Sequence, residues 1–435
     1  MILKVEKSNN LQGEISMPAS KTHSFRALVL ASLAKGTSVI RNPKVGNDWD
    51  EALRTMTMYG AKIEKESDKN IYQVKGVAGQ PQTPENTINV GNSGTMLFFA
   101  AGVAGACPGW SVITGDESIR KLRKISKNLF APYKELGVSI ISTKDDGMAP
   151  LLIKGRVNGG KAHMDGVGCQ PVFSILIASA LSQEPVEIFT KNPGECAYID
   201  LLLYWFDKVG LKYENEDNKH MHYIFPGNES PKPFDVTIPF EWSSPPYPLI
   251  AALLTQNSEI SIRGMDLSDP YGDREVIYLL RQMGADLTIS PNVLTARSSN
   301  LHAIETDMNN LPDQVPSIAV AACFARGKTV IKNAKTARWK ECDRITAICK
   351  ELKKMGAKIY EKEDGLVINQ DGSWKLKGTS VSGYKDHRMV LSLAVAGLAA
   401  GGAPTLISDA ETLEKSFETF IPEMETAGAR LSLIN

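Results

Sequence analysis

The chain repeats itself six times, and two separate markers show it. A hydrophobe-Gly-hydrophobe signal that closes a helix and opens a strand recurs at Gly60, Gly137, Gly210, Gly284, Gly356 and Gly428. The spacings are 77, 73, 74, 72 and 72 residues. An Ala/Leu-rich helical stretch running into a strand ends at Ile40, Ile113, Ile188, Ile262, Ile331 and Ile407. Those spacings are 73, 75, 74, 69 and 76 residues. Two markers with one period point to a repeat architecture, and the period is too long for the common solenoids. Six such units imply a few closed domains. Each repeat reads as strand, apolar helix, strand, amphipathic helix, strand, so the fold class is α/β.

The apolar helices, such as MLFFAAGVAGA and MVLSLAVAGLAA, are hydrophobic nearly all round. Helices of that kind belong inside a core, with the amphipathic ones outside. The segment PGNESPKP at 226–233 is the best internal linker, and it falls between the third and fourth repeats. The expected division is two domains of three repeats, 21–235 and 236–435. A second crossing near Met17 to Ser20 assigns residues 1–20 to the second domain.

Composition narrows the function classes. The chain of 435 residues is 43% hydrophobic and 23% charged, which is globular and not disordered. Lys plus Arg and Asp plus Glu both number 49, so no nucleic-acid or membrane-surface partner is indicated. The start, MILKVEKSNN, lacks the apolar core of a signal peptide. The longest uncharged run, Met389 to Ser408, contains Gly397, Gly401, Gly402 and Pro404, and fits a buried helix and turn better than a membrane span. Six cysteines without CxxC spacing and six histidines without HExxH indicate reduced thiols, no metal site and a cytoplasmic location.

Each apolar helix follows a polar cluster at the same phase of the repeat. These are Ser20-Lys21-Thr22 with Arg26 one turn in, Gly91-Asn92-Ser93-Gly94-Thr95, Gly168-Cys169-Gln170, Ser243-Ser244, Asp313-Gln314 and Asp386-His387-Arg388. Helix capping explains the small polar residues, Ser243 and Ser244 above all. It does not explain Lys21, Arg26 and Arg388. Another crowded helix start lies at Arg338, Lys340, Glu341, Asp343 and Arg344, ahead of Ile345, Ile348, Leu352 and Met355 at helical spacing. Cations at the positive end of a helix dipole make sense if an anion sits between them. Three helix starts in each domain, aimed at a common cleft, would make a site for a small, multiply charged anion. Asp313 and Glu341 lie among those cations. They are an acid/base pair if their environments separate their pKa values, or simple salt-bridge partners.

In this order the motifs PASKTHSFRAL, VGNSGT, LPDQVPSIAVAACFARGKT, ARWKECDRI, YKDHRM and LEKSF resemble the 5-enolpyruvylshikimate-3-phosphate synthase family over nearly the whole chain. The resemblance implies a two-domain enolpyruvyl transferase fold, three α/β repeats per domain, with the second domain completed by the N-terminal strand. It implies transfer of the enolpyruvyl group of phosphoenolpyruvate to a hydroxyl of shikimate 3-phosphate. It further implies no cofactor and a monomer whose partners are small anions. The implied phosphoenolpyruvate-binding residues are Lys21, Gly94, Thr95, Arg123, Gln170, Arg344, Arg388 and Lys415. The implied catalytic residues are Asp313, Glu341, Lys415 and Lys21. The acceptor would be held by Thr22, Arg26, Cys169, Gln170, Glu195, Asp313, Thr336 and Lys340.

The departures from the family pattern lie mostly on the acceptor side. Gly168 and Cys169 stand where the family has two serines, Glu195 where it has a third, and Thr336 replaces an Asn. Phe98 stands at a usual Arg, and GDESIRKLRK leaves Arg120, Arg123 and Lys124 as choices for one donor contact. Two alternatives follow: an enolpyruvyl transferase with a different hydroxyl acceptor, phosphorylated or not, and a non-catalytic repeat scaffold or anion sensor. The joint presence of Asp313, Glu341, Arg344, Arg388 and Lys415 argues against the scaffold.

Overall fold

The fold is that of a computed structural model, which describes residues 1–67, 69–121 and 126–434. The six repeat glycines explain themselves first. Each has a positive φ, between 71° and 101°, at the end of an outer helix. At Gly356 the backbone N–H bonds the Lys353 carbonyl, and the Ala357 N–H reaches back to Leu352. The same pair of bonds recurs at the other five positions, for example Gly210 to Asp207 with Leu211 to Phe206. This is the left-handed helix stop that glycine adopts without steric cost, and it turns the chain straight into a strand.

The described residues form six four-stranded sheets on one plan. In each, a parallel pair of strands is completed by two further strands in antiparallel pairing, and in four of the six the parallel strands flank a buried helix in the chain. In the third repeat, for instance, Gly160–Asp165 pairs parallel with Val186–Lys191, from Gly160↔Val186 to Asp165↔Lys191. The helix Cys169–Ala180 lies between them in sequence.

Two compact units result, Ala19–Ile238 and Met1–Pro18 with Pro239–Asn435. Short strands are traded where the chain passes between units. Gln12–Ile15 precedes the first buried helix in sequence yet pairs with Glu259–Arg263 of the fourth repeat. Asp235–Thr237 precedes the fourth buried helix yet pairs with Thr37–Arg41 of the first. The sixth repeat contributes Gly401–Ser408 and Arg430–Ile434 to its sheet. The N-terminal strand Ile2–Glu6 fills its sheet, antiparallel to both Gly401–Ser408 and Arg430–Ile434. Leu3 and Val5 point into the core and are fully buried.

Within Ala19–Ile238 the buried helices are Lys21–Leu33, Gly94–Ala104 and Cys169–Ala180. The last two lie close because Gly102 has no side chain: a Cβ there would meet the Ser174 carbonyl at 2.9 Å. Phe99 and Phe173 stack across the contact at 5.8 Å. In the other unit Pro246–Leu254, Val315–Ala322 and His387–Ala399 pack pairwise, and all of Val315–Ala322 is buried. Among the described residues no helix is long and apolar enough to cross a membrane.

Candidate active site

In the unit containing both termini, three helix starts converge. Asp386 caps His387–Ala399 by accepting the Arg388 N–H at 2.9 Å. The short turn Pro312–Gln314 leads into Val315–Ala322, and Ser243 precedes Pro246–Leu254. Arg388 and Gln314 both donate to the Ser243 carbonyl, at 3.5 and 3.3 Å, and so tie the three together.

Arg344 is the hub. It opens the amphipathic helix Arg344–Lys354, with Asp343 as N-cap and Ile345, Ile348 and Leu352 buried. Its guanidinium is 1% exposed and carries three carboxylates: Nε to Asp386 Oδ2 at 2.7 Å, Nη1 to Asp313 Oδ1 at 2.6 Å, and Nη2 to Glu341 Oε2 at 2.6 Å. Asp313 offers its other oxygen to Arg388 Nη2 at 2.8 Å. Burial opposes the charge on Arg344, but Asp386, Glu341 and Asp313 outweigh it and hold the guanidinium well above its ordinary range. Burial would raise Asp313, but Arg388, Arg344 and Lys340 overcome this and hold its carboxyl well below the usual carboxylate range. Two guanidiniums are thus held by the protein's own carboxylates.

The sequence brought Asp313, Glu341, Arg344 and Arg388 into one set, and they meet. Lys340 lies near enough to act on Asp313. Thr336 lies on the turn Lys335–Trp339, which packs against Pro312–Gln314; its hydroxyl is buried with no hydrogen-bond partner among the described residues. Lys415 closes the turn Ala410–Lys415 beside His387–Ala399. The third cation of the 338–344 run, Arg338, is engaged elsewhere. Arg338 pairs with Asp343 and Glu361 at 2.8 Å each and donates to the carbonyls of Lys362 and Glu363. It fastens the helix start to the neighbouring strand. Asp386, which read as an ordinary cap, orients Arg344 as well.

The other unit holds the remaining residues. Ser20 caps Lys21–Leu33, and Lys21 Nζ lies 3.4 Å from Asp48 Oδ2. Arg26 is buried, donates to the Thr22 and Tyr198 carbonyls, and lies over the Phe99 and Phe173 rings at 5.7 and 4.7 Å. Ser93 caps Gly94–Ala104, and Gln170 Nε2 reaches Thr95 Oγ1 at 3.5 Å. Glu195 accepts the Cys169 N–H at 3.1 Å. Phe98 is buried in the core, and Arg120 is exposed on the short helix Glu117–Lys121. Arg123 and Lys124 lie outside the described residues.

Helix starts, buried guanidiniums and paired carboxylates are set in a frame of six α/β repeats. The family model for EPSP synthase (3-phosphoshikimate 1-carboxyvinyltransferase) matches residues 5–424, and the chain belongs to that family. It is 42% identical over 99% of both chains to the 3-phosphoshikimate 1-carboxyvinyltransferase of Acetivibrio thermocellus. It is 38% identical, again over 99% of both, to that of Methanocaldococcus jannaschii. Among solved structures, an EPSP synthase from Acinetobacter baumannii superposes with a TM-score of 0.81 at 25% identity, covering 99% of this chain and 100% of that one.

Proposed function

We propose that the chain transfers the enolpyruvyl group of phosphoenolpyruvate to a hydroxyl of shikimate 3-phosphate and releases inorganic phosphate, in the synthesis of chorismate and the aromatic amino acids. The observation that carries this reading is the Arg344 hub, where Asp313 and Glu341 share guanidiniums suited to an anionic substrate.

The chemistry is addition followed by elimination. The acceptor oxygen bonds C2 of phosphoenolpyruvate while C3 takes a proton, giving a tetrahedral intermediate. C3 then loses a proton as the bond from C2 to the phosphate oxygen breaks. One carboxylate must accept the hydroxyl proton and another acid must supply C3. Asp313 and Glu341 fill these roles, with Lys415 and Lys21 as further proton-transfer groups. Arg344, Arg388, Lys21, Arg123 and Lys415 balance the donor's charge, and Gly94, Thr95 and Gln170 supply neutral donors. Thr22, Arg26, Cys169, Gln170, Glu195, Asp313, Thr336 and Lys340 form the acceptor side. As the donor's anionic groups draw Arg344 and Arg388 onto themselves, Asp313 loses part of what holds its pKa down and becomes a stronger base.

One chain carries both the donor and the acceptor set, which supports action as a monomer. The free state of all six cysteines supports a cytoplasmic setting. Phosphate release followed spectrophotometrically tests the reaction. Release should require phosphoenolpyruvate and the acceptor together; release from phosphoenolpyruvate alone, or none with both, contradicts it.

A further inference from the structure

The helix Arg344–Lys354 carries a second buried charge. Glu351 stands two turns beyond Arg344, on the same face, and is fully buried. Its Oε2 accepts the Ser382 N–H at 3.1 Å, and its Oε1 accepts the Tyr384 O–H at 2.7 Å. Lys354 Nζ, from the same helix, lies 2.7 and 3.0 Å from the two oxygens. Burying a carboxylate is costly unless its charge and its lone pairs are both met, and here they are.

The segment it holds, 382–385, joins the strand Lys377–Val381 to the helix His387–Ala399. Its path is uncommon. Tyr384 and Lys385 follow one another at φ 55° and 54°, a left-handed region that residues with a Cβ enter seldom and singly. Such a backbone persists only where its surroundings fix it. The next residue is Asp386, whose carboxylate faces Arg344 and accepts the Arg388 N–H. The helix therefore grips this part of the chain twice, through Arg344 at Asp386 and through Glu351 at Ser382 and Tyr384.

We propose that Glu351 is a positioning residue for the transfer. By holding 382–385 on its left-handed path, it sets Asp386 against Arg344 and aims Arg388 at Asp313. The proposal rests on the enolpyruvyl-transfer reading above. Its measure is kcat for phosphate release with both substrates saturating, set beside the urea midpoint of each variant. Glu351→Ala releases the segment. Its kcat should fall at least about tenfold in a chain that is still folded, because a small displacement of groups that meet the substrate is enough. Glu351→Gln can still accept the Ser382 N–H and can donate to the Tyr384 oxygen, so it should recover most of that loss. In an Arg388→Ala background, Glu351→Ala should lower kcat by a smaller factor, because part of what it positions is already gone.

A merely structural role would lower the urea midpoint and leave kcat unmoved. A fall in kcat smaller than about tenfold in Glu351→Ala, or the same factor in both backgrounds, overturns the proposal. Should Glu351→Ala fail to fold, Tyr384→Phe decides. It removes one hydroxyl and should lower kcat at least about twofold, and an unchanged kcat overturns the proposal. Release by the unaltered chain with these variants unmoved overturns Glu351 alone. No release by the unaltered chain overturns the enolpyruvyl-transfer reading, and the proposal with it.

Discussion

Arg344 shows how one side chain can be legible in kind but not in detail. A cation at a helix start was visible in the sequence, as were Asp313, Glu341 and Arg388 at related phases. The direction in which each cation turns was not, because charge pattern carries no χ angles. Arg338 accordingly read like Arg344 and proved to be a fastener to Glu361. Glu341→Gln should keep the fold and lose turnover; near-normal phosphate release in that variant removes Glu341 from proton transfer. Arg388→Ala should lower kcat by about 10²–10³, as expected when a preorganised donor is removed. Asp313 also ties stability to pH. Its folded pKa is depressed, so its contribution is present above the unfolded value of about 3.9 and is lost as pH falls below that. Comparing urea midpoints at pH 7 and pH 3 checks this: the wild type should lose more on acidification than Asp313→Asn. Equal losses contradict it.

Helices and their ends were the most readable part of the chain. The period of 72 to 77 residues marked the six left-handed glycine stops, because only that backbone turn lets an outer helix run directly into a strand. At Gly356 an added Cβ has space, 3.6 Å from the Lys375 carbonyl, so the cost of Gly356→Ala is conformational. It should be about 1–2 kcal/mol, read as a lower urea midpoint at unchanged slope. Asp386 went unrecognised because an acid before a helix is the commonest of caps. It also faces buried Arg344, so Asp386→Ala should cost more than the roughly 1 kcal/mol of an ordinary cap. Asp386→Asn should restore only the capping share, and wild-type stability in Asp386→Asn contradicts the second role.

Over the full chain, repeat number and fold class were legible, but the traded strands were not. Gln12–Ile15 and Asp235–Thr237 have four and three residues, too few for a period-two pattern to say which sheet they join. Their pairing is decided by which edge the folded unit leaves open. The N-terminal strand has a sharper consequence. Ile2–Glu6 is hydrogen-bonded on both sides, so deleting residues 1–8 should unfold the sixth repeat, while residues 19–238 expressed alone should fold, with their own three sheets. Circular dichroism and thermal melts of the two truncated chains check both outcomes. For the reaction itself, the decisive experiment is proton NMR of the mixture of chain, phosphoenolpyruvate and acceptor in deuterium oxide. Addition and elimination pass through a methyl group, so a carboxyvinyl ether should form in step with phosphate and carry deuterium on its vinyl carbon. Phosphate without the ether, or an ether free of deuterium, would contradict the assignment of Asp313 and Glu341 to enolpyruvyl transfer.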